Sequence, residues 1–98
     1  MHEELNHIEL VNNEPIHHFE LTKDGFTAFI DYLKRGDKVF LVHTDVPVEL
    51  EGKGVAGKLV EKVFQYLEEH NLNMVPLCSY VNHYLQKHPE WGKLQTEK

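Results

Sequence analysis

The sequence predicts one α+β domain over residues 1–98, with four antiparallel strands followed by a helix, a fifth strand and a second helix. Three observations support this order: turn signals separate the apolar segments of the first half, the apolar spacing becomes helical near residue 53, and a proline closes the last helical segment. The chain is 41% hydrophobic and 27% charged, which is the composition of one small globular domain.

The first half has the pattern of short strands joined by tight turns. Asp24-Gly25 predicts a hairpin, because both residues tolerate positive φ. Val39-Phe40-Leu41-Val42 is a continuous apolar run, typical of a central strand covered on both faces, and this strand should stop near Pro47. The four strands are expected at residues 8–11, 16–21, 26–33 and 39–46.

The second half changes to helical periodicity. Between Lys53 and His70 one helix face is apolar, and Asn71 is a plausible stop signal. A short strand is expected at 73–77, and Ser79 resembles an N-cap for a second, shorter helix that ends before Pro89. Trp91 should fold back onto the core. The apolar face of the long helix consists of Val55, Leu59, Val60, Val63, Phe64 and Leu67.

Glycines 52, 54 and 57 form a loop directly before the long helix, with the spacing G-x-G-x-x-G. This spacing also occurs in dinucleotide sites, but those follow the first strand of a parallel βαβ unit, and here four strands come first. The loop still predicts an anion site, because glycines permit close approach of a ligand and the first N–H groups of a helix attract an anion. The alternative is a glycine-rich turn required only for packing.

Composition excludes several classes of function. The net charge of −6 argues against nucleic-acid binding, no apolar run approaches the roughly 20 residues of a membrane span, and the acidic start does not resemble a signal peptide. We therefore expect a soluble, cytoplasmic protein. Lys53, Lys58 and Lys62 form a local basic patch that either contacts a polyanionic ligand or is only a solvated helix face.

Ordered motifs in the second half resemble the minimal, single-domain GNAT-like N-acetyltransferases. The resemblance covers about half of the chain and is much more specific than the glycines alone. The motifs are His43-Thr44-Asp45-Val46-Pro47, Leu50-Glu51-Gly52-Lys53-Gly54-Val55-Ala56, Val75-Pro76-Leu77-Cys78, Tyr84 and His88-Pro89.

The resemblance implies a GNAT-like mixed, mostly antiparallel five-stranded sheet that is splayed between the strand ending near Val46 and strand 73–77. Acetyl-CoA would lie in this splay as co-substrate. Val46 would offer backbone groups to the pantetheine, and the amides of Lys53, Gly54, Val55, Ala56, Gly57 and Lys58 would hold the pyrophosphate. Glu51 departs from the Arg or Gln of the wider superfamily, so its carboxylate should point away from the phosphates.

Two residues near the second helix are candidates for catalysis. Cys78, the only cysteine, precedes the helix N-terminus, where its thiolate would be stabilised as a nucleophile that receives an acetyl group. It is otherwise a small buried residue in contact with the coenzyme. Tyr84 corresponds to a superfamily acid that protonates the leaving CoA thiolate, or it is a core aromatic residue.

The histidines do not suggest a metal site. None of the eight forms an H-x-x-x-H pair on a helix, and His17 and His18 should point to opposite strand faces, so we expect no metal. His43 is different, because it lies near the end of the central strand beside the expected thioester. It is a candidate base acting through water, or a histidine satisfied by packing.

Three functions remain open at this stage: an enzyme that moves an acetyl group to an amine or similar nucleophile, a non-catalytic module that binds or senses acyl-CoA, and an interaction domain without a ligand. The residues do not identify the acceptor. We expect a monomer or a weak homodimer, since the first strands leave an edge that a second copy can cover.

Overall fold

The computed structural model describes residues 7–95, which form a five-stranded sheet with two helices. The strands lie side by side in chain order, and only the last pair, β4 and β5, is parallel. The mixed, mostly antiparallel sheet with one long and one short helix is confirmed. The elements are β1 (Val11–Asn13), β2 (His18–Lys23), β3 (Phe26–Arg35), β4 (Lys38–Asp45), α1 (Val55–Glu69), β5 (Asn73–Pro76) and α2 (Ser79–Lys87).

Two-residue turns join the central strands. Asp24 and Gly25 both have positive φ, 55° and 83°, as the Asp-Gly signal predicts. Gly36, with φ 61°, begins the turn between β3 and β4. The first two strands start later than expected, at Val11 and His18, because the chain between them forms a short 3₁₀ turn at Glu14–Ile16 that closes on a left-handed His17.

The ends of both helices have clear local causes. Asn71 is left-handed, with φ 57°, and the N–H of Leu72 donates to the carbonyl of Leu67 at 2.8 Å, which is the geometry of a Schellman motif. The N-cap of α2 is Cys78, one residue before the expected Ser79. The helix ends at Lys87 because the residue before Pro89 disfavours the α region.

Both helices cover the same face of the sheet. The buried strand residues alternate and all lie on that face, and Trp91 also packs there, 5.6 Å from the ring of Phe64. The expectation that β4 is covered on both faces is wrong: Val42 is 39% exposed. The buried residues of the sheet are Phe19, Leu21, Ala28, Ile30, Tyr32, Val39, Leu41 and Met74.

A β-bulge in β4 changes which side chains reach the helical face. Asp31 of β3 pairs with His43, whereas the next residue, Tyr32, pairs with Leu41. Val42 therefore has no partner, and the alternation of side chains shifts by one residue beyond it. Thr44, which pairs with the buried Ile30, faces the helices, and His43 faces the opposite side.

None of the helices within residues 7–95 is both long enough and apolar enough to cross a bilayer.

Candidate functional site

The sheet separates between β4 and β5 where β5 ends. Their last pair is Leu41 with Pro76, and the N–H groups of Leu77 and Cys78 both donate to the Leu41 carbonyl at 3.0 Å. Beyond this point β4 continues to Asp45 while the chain turns away into α2. The separation leaves a gap beside the last residues of β4, next to the start of both helices.

The glycine loop shapes the start of α1. Gly52 and Gly54 have φ of 77° and 78°, which side chains with a Cβ rarely adopt. The helix begins at Val55, later than the expected Lys53, and the N–H of Lys58 donates to the carbonyl of Gly54 at 3.1 Å. The N–H groups of residues 55–57 precede this bond, so they have no acceptor within the helix. Together with the helix dipole, they favour an anion.

A cavity of about 270 Å³ lies between this loop and the start of α2. Gly57 lies where α1 approaches α2: a Cβ there would lie 3.8 Å from both the Tyr80 hydroxyl and the Tyr84 ring, which is ordinary van der Waals contact. Of the expected coenzyme-binding residues, five line the cavity. The lining consists of Val46, Leu50, Glu51, Gly52, Gly54, Val55, Ala56, Gly57 and Tyr80.

The two expected lysines lie beside the cavity and are not part of its lining. Lys53 is exposed, and Lys58 in the first turn of α1 donates to Glu61 at 2.8 Å. Glu51, in contrast, belongs to the lining. That the lysines contact a ligand stays a prediction, whereas the backbone of the loop belongs to the lining and supplies partial positive charge there.

Cys78 is the buried N-cap of α2, with 7% of its surface exposed. Its sulfur lies 3.3 Å from Thr44 Oγ1. Burial raises the pKa of the thiol, but the Thr44 hydroxyl and the backbone N–H groups of Val81, Tyr80 and Thr44 together outweigh it, so the pKa is lowered below 9.0. The helix N-terminus and the strand thus jointly favour the thiolate.

Tyr84 and Tyr80 lie one turn apart on α2, on the side that faces α1. Burial raises the pKa of Tyr84 to about 12, with smaller contributions from Glu61, Tyr80 and Glu90. Burial also raises the pKa of Tyr80. Both hydroxyls therefore stay protonated at neutral pH, as a proton donor requires.

His43 is not brought together with Cys78. The bulge at Val42 turns it to the open face of the sheet, where it is exposed. In the strand register, His43 lies opposite Asp31. Asp31 in turn contacts His18, with 2.9 Å between Oδ1 and Nε2. Among residues 7–95, no group of three or more His, Cys, Asp and Glu residues is arranged to hold a metal ion.

Sequence reasoning missed two residues of the site. Tyr80 lines the cavity, and its position two residues after Cys78, in the first turn of a helix that faces the loop, was the available signal. Thr44 contacts the sulfur of Cys78, but strict alternation along β4 cannot place it, because the bulge is set by strand pairing.

A larger cavity, about 410 Å³, lies at the opposite end of the sheet. Three of its polar side chains hydrogen-bond one another: Asn12 accepts from the Tyr32 hydroxyl at 2.6 Å and donates to that of Tyr66 at 3.1 Å. It is also remote from the glycine loop, because it adjoins the C-terminal part of α1. The smaller cavity is therefore the candidate site.

The splayed mixed sheet, the glycine loop before α1 and the cavity between the two helices define the class of small acyltransferase domains. A family model described as GCN5-related N-acetyl-transferase matches residues 18–94, which is most of the chain, and the protein belongs to this family. The chain is also similar to a GCN5-like protein from Staphylococcus aureus whose solution structure was determined by NMR. The TM-score is 0.68 at 28% identity, and the match covers 92% of this chain and 89% of that one.

Proposed function

We propose that the protein binds acetyl-CoA between α1 and α2 and transfers the acetyl group to a primary amine or a similar nucleophile. The observation that carries the proposal is the cavity in front of α1, because its lining joins the glycine loop, the last residues of β4 and Tyr80 of α2. Family membership supports acyl transfer as the reaction class.

In this proposal the pyrophosphate lies against the backbone N–H groups of residues 55–57. Glycines 52 and 54 allow the phosphates to approach the loop, and the helix dipole adds partial positive charge. Val46 offers backbone groups to the pantetheine in the splay. The Glu51 carboxylate opposes the ligand charge, so its neutralisation should strengthen binding.

The acetyl group passes through Cys78 in the proposed reaction. The Cys78 thiolate attacks the acetyl carbonyl carbon, a new S–C bond forms, the S–C bond to CoA breaks, and Tyr84 gives its proton to the departing sulfur. An amine then attacks the acetyl-cysteine, and cleavage of that S–C bond returns the Cys78 thiolate. The proton lost by the amine nitrogen restores Tyr84 by way of solvent.

A non-catalytic module that binds or senses acyl-CoA is the second candidate. Within the described residues, β1 and β2 are joined only by the short turn at Glu14–Ile16, so no helix between them shapes an acceptor site. For both candidate functions we propose a cytoplasmic location, because a free reactive thiol persists in a reducing compartment.

Calorimetric titration with CoA and acetyl-CoA tests binding. Ala56→Glu places a carboxylate in the cavity lining and should weaken binding at least roughly ten-fold. Glu51→Gln should strengthen it. Gln65→Glu is the matched control, because this exposed residue of α1 lies outside the lining. If CoA does not bind the wild type, the site assignment is wrong. It is also wrong if Ala56→Glu and Gln65→Glu bind CoA with the same affinity.

Acyl transfer is tested separately, with isotope-labelled acetyl-CoA and peptide mass mapping. Label on Cys78 that is lost on addition of an amine panel, with stoichiometric release of CoA, supports the enzyme. Tight binding without turnover supports the binding module instead. Turnover that persists in Cys78→Ala, which leaves no nucleophile at this position, would exclude the covalent route while retaining direct transfer.

A further inference from the structure

The contact between Thr44 and Cys78 joins two distant parts of the chain at the proposed reaction centre. Thr44 Oγ1 lies 3.3 Å from Cys78 Sγ, within hydrogen-bond range for sulfur. Thr44 is half-buried and Cys78 is buried, so water competes little for this contact. A hydrogen bond to a charged group in such surroundings is stronger than one at the surface.

The bulge at Val42 creates this contact. Without it, alternation along β4 from the buried Leu41 would turn residue 43 toward the helices and residue 44 away from them. With Val42 unpaired, Thr44 takes the inward position opposite Ile30. Because of the bulge, the side chain next to Cys78 is the hydroxyl of Thr44 and not the imidazole of His43.

Among the groups within residues 7–95 that lower the pKa of the Cys78 thiol, the one side chain is that of Thr44. The lowering of the thiol pKa arises from the Thr44 hydroxyl and from backbone groups, with no charged side chain among the contributors. Of the neighbouring titratable residues, His43 faces the opposite side of β4, and Tyr80 follows on α2 with its pKa raised by burial.

We propose that Thr44 is a positioning residue for Cys78: its hydroxyl donates to the sulfur, holds it beside the splay and favours the thiolate. The importance of this role for acetyl transfer rests on the proposed function. The effect on the thiol itself does not, since the contact belongs to the protein without any ligand. No covalent chemistry is assigned to Thr44.

The test uses the fact that Cys78 is the only cysteine, so alkylation of the chain by iodoacetamide reports on this thiol alone. The rate is measured from pH 6 to 10 in the wild type, Thr44→Val and Thr44→Ser. Thr44→Val should move the midpoint of the profile to higher pH and slow alkylation at neutral pH by roughly ten-fold. Thr44→Ser keeps the hydroxyl and should stay near the wild type.

Thr22→Val is the matched control, because it also removes a hydroxyl, from an exposed pair with Thr27 at 2.8 Å. An unchanged profile in Thr44→Val would overturn the proposal, and so would equal shifts in Thr44→Val and Thr44→Ser. If Thr44→Val unfolds, Thr44→Ala takes its place as the variant without a hydroxyl, and its profile is compared with that of Thr44→Ser. Absence of CoA binding would refute the proposed function and leave this result standing.

Discussion

The ring of Tyr84 stacks on the imidazole of His88, with the centroids 4.2 Å apart, and it meets the edge of Phe64 at 5.8 Å. These contacts orient the ring without using its hydroxyl. Tyr84→Phe should therefore keep the fold and the binding of CoA, while removing the proton that the leaving sulfur would take.

For this variant we expect kcat of acetyl transfer to fall by about 100-fold with little change in the Kd for CoA. The pKa of about 12 also predicts that Tyr84 causes no loss of rate between pH 7 and 10. Steady-state kinetics and calorimetry on the same samples check both points. Full turnover in Tyr84→Phe would end the assignment of Tyr84 as the acid.

Gly54 provides a prediction on the backbone of the loop. Its φ of 78° is strained for any residue with a Cβ, so Gly54→Ala should lower the free energy of unfolding by about 1 kcal/mol and weaken CoA binding as the loop shifts. Gly92→Ala is the control, because a Cβ there would meet only the side chain of Gln95 at an ordinary 3.7 Å. Chemical denaturation and calorimetry measure the two effects; equal behaviour of the variants would contradict the role of the loop geometry.

Asn12 attaches β1 to the core through the buried Tyr32. The Tyr32 hydroxyl donates to Asn12 Oδ1 at 2.6 Å, and Asn12→Ala leaves that hydroxyl without its acceptor. We expect a loss of roughly 1–3 kcal/mol in the free energy of unfolding. In a double-mutant cycle, Tyr32→Phe should make the Asn12→Ala change less costly, since the orphaned group is gone. Strict additivity would show that the two side chains do not interact.

The lowered pKa of Cys78 predicts a pH dependence of stability. Because the pKa is lower in the folded protein than the ordinary 9.0 of the unfolded chain, folding favours the thiolate. The stabilisation is present above the unfolded pKa and is lost as the pH falls through the folded pKa. The difference in unfolding free energy between wild type and Cys78→Ala should therefore grow from pH 7 to 10, as urea titrations can measure; a constant difference would contradict the shift.

The sequence by itself determined the order of the elements and the position of the anion-binding loop. Asp24-Gly25 and Asn71 act locally: their backbone preferences end a strand and a helix whatever the rest of the chain does. Helical spacing after residue 53 reflects the burial of one face, so α1 and the glycines before it could be predicted together.

Tertiary structure alone decided which side chains meet at the reaction centre. The open face of the sheet could not be predicted, because the apolar run Val39–Val42 looks the same whether a second layer covers it or not. The bulge at Val42 depends on how β4 pairs with β3, and this long-range pairing leaves no local signal. It turned His43 outward and Thr44 inward, so the partner of Cys78 became a hydroxyl 34 residues away in the chain.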